Sequence, residues 1–541
     1  MIFSSLQYML FLPIVALLYW RTTGGARLLL VAVASYIFYM SWLPAYAVLL
    51  LALTAANWLL ALGIGKSLSA RSANEQTEGA SGGNEGQSSS CSSSEHAAKS
   101  RRELQGSARP LVARLLFAAG LLLNLGCLCY YKYTNFFLSI LADGVNGLLA
   151  AVAKLPALNW QQAPLWNQPV LDVILPLGIS FFVFEFVHYL ADVYKGDKPV
   201  RSFLEFATFA SFFPSQIAGP IKRYQDFCEK LRKPEPFAGP LFVEGTTLIM
   251  KGLFKKVAIA DPIGAVIFTP FTSLSALSSA DALIAMIGFV IQVYCDFSGY
   301  TDIGRGSALL LGIRLPENFQ LPYLSHDLSD FWRRWHMSLS YWLRDYVYIP
   351  LGGSKGGILF TWRNLFITMV ACGLWHGASW HYVVFGALQG VGLIANREWR
   401  NLLAHSQALA MVFETSAGRW FGTFLTMSFI TVTYAIFRAP DMAHASNMLM
   451  SAFNFGGPCA LYETIEKSGI ICFLGVYVIY WLISDFLSAQ PKLLPATRAL
   501  GILQPSMSFA MPVRLASWTA ALILMAAAKP LTAVPFVYFQ F

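Results

Sequence analysis

The sequence predicts an all-α fold, a polytopic membrane helical bundle of about ten to twelve spans plus re-entrant helices, and three observations carry that prediction. Charged residues make up only 12% of the 541 positions, against roughly 25% in a soluble globular chain. Hydrophobic residues make up 56%, and mean hydropathy is +0.53. Apolar runs long enough to cross about 30 Å of hydrocarbon recur along the chain, and a helix is the segment that satisfies its own backbone there. Residues 1–541 then read as one membrane domain in a lipid bilayer rather than as several soluble domains.

Taken in order, Met1 to Trp20 is apolar but lacks a basic n-region and a small-residue cleavage site, so it reads as a retained first span. Spans at Arg27 to Met40 and Trp42 to Ile64 follow. Residues 66–110 are rich in Ser, Gly, Glu and Gln without apolar periodicity, which predicts a disordered loop insertion. Its basic flanks, Lys66, Arg71, Lys99, Arg101, Arg102 and Arg109, put it in the cytoplasm by the positive-inside rule. Spans resume at Leu111 to Tyr131 and Phe136 to Ala153, and Pro156 to Pro169 reads as an interfacial loop. Leu171 to Leu190 carries Glu185 and His188, three apart and able to meet on one helical face, either as a satisfied buried pair or as the lining of a polar path.

Phe203 to Gly219 is interrupted at Pro214-Ser215-Gln216, a broken helix tolerable at membrane depth only where protein or a cavity covers it. Lys222, Arg223, Lys230, Arg232 and Lys233, then Lys251, Lys255 and Lys256, are the strongest positive-inside signal and predict cytoplasmic loops. Ala282 to Tyr294 leads into a segment where Asp296 and Asp302 flank a Ser-Gly-Tyr kink. Basic residues recur from Arg305 to Arg363, Phe366 to Leu393 re-enters the membrane, and three scaffold spans end the chain near Trp420 to Phe437, Ile470 to Phe486 and Ala516 to Ala527. The net charge of +9 is loop topology and not a nucleic-acid surface. The eight cysteines are scattered, as small buried hydrophobes are.

Two imidazoles are the candidates for the chemistry. No charged residue stands between Arg363 and Arg397, yet His376 lies in that apolar stretch, and an intramembrane imidazole is a functional-site hypothesis by default. The competing reading is a structural His bonded across helices; on the residues alone both stand. Gly373 with Gly377, and Gly386 with Gly390, are pairs four apart that let helices approach closely. His336 lies in a Trp/Arg cluster; on a helical projection Asp330 and Arg334 can pair, and Trp332 and Ser340 lie one turn to either side of it. That setting is one for an organiser rather than a free base. His376 and His381 are five apart, about 140° round a helix, and no compact ligand spacing occurs, so no metal is expected. Gly352 to Gly357, with Lys355, lacks phosphate-loop spacing and reads as an interfacial loop.

The segments YCDFSGYTDIG, LPENFQLPYLS, DFWRRWHMSLSYWLRDYVYIPLGG and GLWHGASW, with FFVFEFVHYLADVYKGD, FFPSQIAGPIKRY and the C-terminal PFVYFQF, resemble the membrane-bound O-acyltransferases. Within them they are most similar to the bacterial alginate O-acetyltransferase branch, over most of the chain outside 66–110. The resemblance implies that His376 is the catalytic base, taking a proton from a hydroxyl as it attacks a thioester, and that His336 orients substrate or polarises the thioester carbonyl. It implies no bound cofactor, acetyl-CoA or else an acyl carrier protein as donor, a periplasmic acetyltransferase partner of SGNH type, an exported polysaccharide such as alginate or cellulose, and a bacterial inner-membrane location. Arg333, Arg334 and Lys355 are then candidate contacts for the donor's phosphates. Cys295, His381 and Gln389 depart from the branch's pattern, the last standing where a second His is common. D-alanyl transfer to teichoic acid is the alternative within the family, and a polysaccharide transporter or flippase the alternative outside it.

Overall fold

The computed structural model describes residues 1–80, 109–153, 170–217, 219–455 and 459–461, with Trp166, Ile471, Gly475, Thr519, Leu522 and Met525 singly. Among these, all regular structure is helical. Five helical stretches are long and apolar enough to cross a membrane: Pro44–Arg71, Leu111–Val152, Ser279–Leu310, Ile358–His376 and Ser416–Arg438. Two shorter apolar helices, α1 (Leu6–Arg21) and α2 (Gly24–Met40), precede them. The described residues therefore carry fewer full spans than the predicted ten to twelve. One reason is that apolar runs such as 203–219 fold as short helices; another is that the spans predicted at 470–486 and 516–527 fall almost entirely outside the described residues, as does the interfacial loop at 156–169.

One compact unit comprises residues 28–216 and 223–228. In it α3 (Pro44–Ala80) continues well past Ile64, so the stretch read as a disordered loop begins as helix; residues 81–108 lie outside the described residues. Helix α4 (Leu111–Leu128) runs through a π turn into α5 (Thr134–Ala153). Asn57 on α3 and Asn124 on α4 exchange buried amide hydrogen bonds at 3.1 and 2.7 Å, the kind of polar contact that joins helices where lipid offers no hydrophobic drive. The helix predicted from Leu171 starts only at α6 (Ile179–Tyr194), because Pro176 and Gly178, with φ of +72°, hold the preceding chain out of helix. Glu185 and His188 are both buried on it. The predicted break is present: α7 (Phe203–Ser211) stops before Pro214, and the Phe213 N–H donates to Ser35 Oγ at 3.1 Å. That bond covers one of the backbone groups the break releases.

The other unit comprises residues 1–27, 217–222 and 229–541. After α8 (Tyr224–Arg232), which straddles the division, α9 (Gly239–Leu253), a π turn over Phe254–Ala260 and α10 (Asp261–Thr272) are continuous and pack on α11 (Ser279–Leu310). Two expectations change here. The Ser298-Gly299-Tyr300 segment is not a kink, for α11 runs through it unbroken. Its glycines serve contact instead, with Gly299 against Gly252 and Gly306 against Gly245 on α9. Nor do Lys222, Lys255 and Lys256 belong to exposed cytoplasmic loops, since all three are buried. Lys255 Nζ lies 2.8 Å from Asp302, and Lys256 Nζ lies 2.7 Å from Asp261 and 2.8 Å from Asp296. The same two carboxylates that flank the supposed kink are the counter-ions of these lysines, and a charge neutralised inside the bundle says nothing about topology.

A Cβ placed on Gly299 would sit 2.7 Å from the Gly252 carbonyl oxygen and 3.2 Å from Lys255 Cβ, while one on Gly144 would meet nothing within 4 Å. Gly299→Ala should therefore destabilise by about 1–3 kcal/mol, a backbone being unable to yield as a side chain can. Gly144→Ala, gaining helix propensity, should be neutral or stabilising. Thermal unfolding of the two purified variants in one detergent checks this; equal midpoints would contradict it.

Candidate active site

Helix α12 (Leu328–Arg334) begins with Asp327, whose Oδ1 accepts from Asp330 N at 2.8 Å, and ends at Trp335, which is extended. His336 follows with φ of +41°, then α13 (Met337–Leu343) and a π turn over Arg344–Tyr348. His336 therefore sits between two helices and not within one, so the projection of Trp332 and Ser340 onto its flanks does not apply. The expected Asp330–Arg334 pair does form, at 2.9 Å. A left-handed backbone at a non-glycine residue costs on the order of 1–3 kcal/mol.

The side chain of His336 caps α13. Its Nδ1 accepts from Leu339 N at 3.3 Å, which leaves the proton of the neutral ring on Nε2. Among the described residues Nε2 meets no hydrogen-bond partner. The residue is completely buried, and burial pushes its imidazole down to about 3, so it stays neutral at physiological pH. Its neighbours are rings: Phe297 at 4.7 Å and Trp375 at 5.9 Å, centroid to centroid.

His376 is the last residue of α14 (Ile358–His376); Gly377 to Ser379 break the chain, and α15 (Trp380–His405) returns. The stretch expected as one apolar passage is thus a hairpin with His376 at its turn. Glycines explain how closely its arms lie. A Cβ on Gly373 would strike the Tyr382 carbonyl oxygen, one on Gly386 would strike that of Met369, and one on Gly377 would strike the Tyr382 ring. His376 is 6% exposed, with Phe437 edge-on at 5.0 Å and Phe385 at 6.2 Å. Trp375 packs on it at 4.9 Å and also touches His336, so one indole links the two imidazoles. Phe437 belongs to α17 (Ser416–Arg438), which follows the short α16 (Gln407–Glu414) and precedes α18 (Met442–Ser451).

Because the helix breaks between them, His376 and His381 are not related by helical rotation, and the angular argument against a shared site has no basis. His381 Nδ1 lies 2.9 Å from Ser379 Oγ. Among the described residues no three His, Cys, Asp or Glu side chains gather as metal ligands. A polar link the sequence reading missed ties the hairpin to its neighbours: Trp332 Nε1 donates to Gln389 Oε1 at 3.1 Å, and Gln389 Nε2 donates to Thr433 Oγ1 at 2.9 Å. An amide in an apolar run was the available signal. Arg333 and Arg334 both turn to Asp330, and Lys355 is exposed before α14. The nineteen residues of α14 put its His376 end on the order of 28 Å from its start, so Lys355 does not share the imidazole's surroundings.

These residues lie within a match to the model of the membrane-bound O-acyltransferase family, MBOAT, which spans residues 160–437. The chain belongs to this family. It is 35% identical over 463 residues to a probable alginate O-acetylase of Pseudomonas putida, covering 84% of this chain and 81% of that one. It is 34% identical over 461 residues to the protein of that name from Pseudomonas syringae, covering 84% and 76%. A peptidoglycan O-acetyltransferase of Helicobacter pylori is 32% identical over 382 residues, covering 66% and 68%. The protein is accordingly a multi-pass membrane O-acyltransferase, which removes the transporter reading.

His336 combines a cap, a left-handed backbone and a buried donor, and substitutions can separate them. Asparagine tolerates φ above zero and caps well, so His336→Asn should melt close to wild type while losing most acyl transfer. His336→Ala gives up the cap as well and should lose about 1 kcal/mol in addition. Melting curves and polymer acylation at matched membrane abundance read the two effects apart; full transfer by His336→Asn would leave His336 a purely structural residue.

Proposed function

We propose that this O-acyltransferase takes acetyl from acetyl-CoA on the cytoplasmic side of the bacterial inner membrane and passes it across for O-acetylation of an exported polysaccharide, alginate being the first candidate. One observation carries the reading: two buried imidazoles joined by a single indole, each at a helix break, inside the family's matched region. The relatives' names, an O-acetylase for alginate and an O-acetyltransferase for peptidoglycan, support both acetyl as the group and an exported glycan as the acceptor.

The chemistry balances with these groups alone. A hydroxyl oxygen attacks the thioester carbonyl carbon, and His376 takes the hydroxyl proton as the C–O bond forms. His336 Nε2–H donates to the carbonyl oxygen as it becomes an oxyanion. The C–S bond then breaks, and the proton held by His376 goes to the leaving sulfur, giving the acetyl ester and the free thiol. The aromatic rings around His376 exclude water, which would otherwise hydrolyse the thioester. Lys355, at the far end of α14 from His376, would hold the phosphates of a donor with an extended arm, and Arg333 and Arg334 are further candidate contacts. The hydroxyl belongs either to the polymer or to a periplasmic SGNH-type partner that relays the acetyl group.

If His376 is the base, His376→Gln should lower transfer by about 10²–10⁴. The fold should survive, because glycines and not the imidazole set the hairpin's packing. Labelled acetyl-CoA with membranes of matched protein content provides the measurement. Transfer near the wild-type rate would overturn the assignment and leave His376 as scaffold.

A further inference from the structure

The turn that holds His336 is shared with a second side chain. Asn318, 1% exposed, accepts from Met337 N through its backbone carbonyl at 3.0 Å and from Ser338 N through Oδ1 at 3.2 Å. His336 then accepts from Leu339 N through Nδ1 and from Ser340 N through its carbonyl at 3.0 Å. The four amides from Met337 to Ser340 are thus taken by one of these two residues. Their orientations follow by necessity: only the oxygen of an amide side chain and only an unprotonated ring nitrogen can accept from N–H. Each side chain is left with its donor atom facing away from the turn, Nδ2 of Asn318 and Nε2 of His336. Neither donor has a hydrogen-bond partner among the described residues.

A buried N–H without an acceptor carries its full desolvation cost, and here two occur on residues docked against consecutive amides, one of them on strained backbone. The surroundings are apolar. Phe319, next to Asn318, meets Phe297 at 5.0 Å, and Phe297 meets His336 at 4.7 Å. Two neutral buried donors, with no acceptor and no carboxylate engaged with either among the described residues, select a ligand that offers an electron-rich oxygen without a proton. In an acyl transfer that atom is the carbonyl oxygen, and the demand for donors rises as it becomes an oxyanion. We infer that Asn318 supplies the second hydrogen bond to the acyl carbonyl, beside His336, and so completes a two-donor oxyanion site. This rests on the acyl-transfer reading above, and extends it to a residue outside the His336 and His376 segments.

Asn318→Asp keeps the oxygen that caps Ser338 and removes the donor, and Asn318→Ser keeps a short acceptor. In full-length protein purified in lipid nanodiscs, kcat with acetyl-CoA should fall by about 10²–10³ at nearly unchanged KM and melting temperature, as loss of one oxyanion donor does. A dithioester analogue, with sulfur in place of the carbonyl oxygen, should slow the wild type strongly and the variants little, because their donor is already gone. Wild-type kcat in a folded variant, the same slowing by the analogue in variant and wild type, or failure of both variants to fold would overturn the inference. A wild-type protein that releases no thiol from acetyl-CoA would sink the donor reading alone; the O-acyl content of exported polymer would then carry the comparison of Asn318 variants.

Discussion

The unit that holds both imidazoles depends on backbone-to-backbone contact between helices, and glycine is what permits it. In lipid no hydrophobic force draws helices together, so packing distance decides association. Gly373, Gly386 and Gly390 let α14 and α15 touch along their length, and Gly245, Gly252, Gly299 and Gly306 do the same for α9 and α11. The first contact fixes where His376 stands. The second fixes Phe297, which directly follows Asp296 and stands five residues before Asp302, each carboxylate held by a buried lysine, and His336 packs against its ring. The imidazoles are therefore positioned by elements whose own spacing leaves no room for a methyl group.

Both imidazoles stand where helix stops. Irregular backbone at membrane depth must find its hydrogen bonds within the protein, and the two breaks answer that demand differently. At His336 the side chains of His336 and Asn318 take up the amides of the new helix. At His376 the break is short, and Gly377 N still reaches the Gly373 carbonyl at 3.4 Å. A histidine inside a regular helix would have its backbone satisfied but its ring direction set by helical geometry. At a break the ring direction is freed from that constraint, and here packed aromatic rings set it instead.

The sequence made some of this legible. An imidazole in a long uncharged stretch singled out His376, glycines at intervals of four announced close packing, and Pro214-Ser215-Gln216 marked a real helix end. The breaks beside His336 and His376 were not legible, because Trp335 and Ser379 lie in patterns that read equally well as continuous helix, and tertiary contacts decide the matter. Lys255 and Lys256 were misread for a related reason. The positive-inside rule counts charges on loops, and only the facing of α11 reveals that Asp296 and Asp302 neutralise these two within the bundle. Asn318 gave no signal of its own, since a loop asparagine is ordinary until its amide is seen to share a turn with His336.

In the proposed mechanism, Trp375 separates the two imidazoles that would divide the reaction. A base must lose contact with the proton it delivers, whereas an oxyanion donor must keep its proton throughout, so direct contact between the rings would let the proton pass to the wrong nitrogen. Trp375 meets His376 at 4.9 Å and His336 at 5.9 Å, each ring nearly perpendicular to the indole, so an apolar ring contacts both imidazoles. His336 is held to a single tautomer by Leu339 N–H, and its burial keeps it neutral. In the proposed mechanism it would therefore act only as a donor, which leaves the role of base to His376 at the hairpin turn.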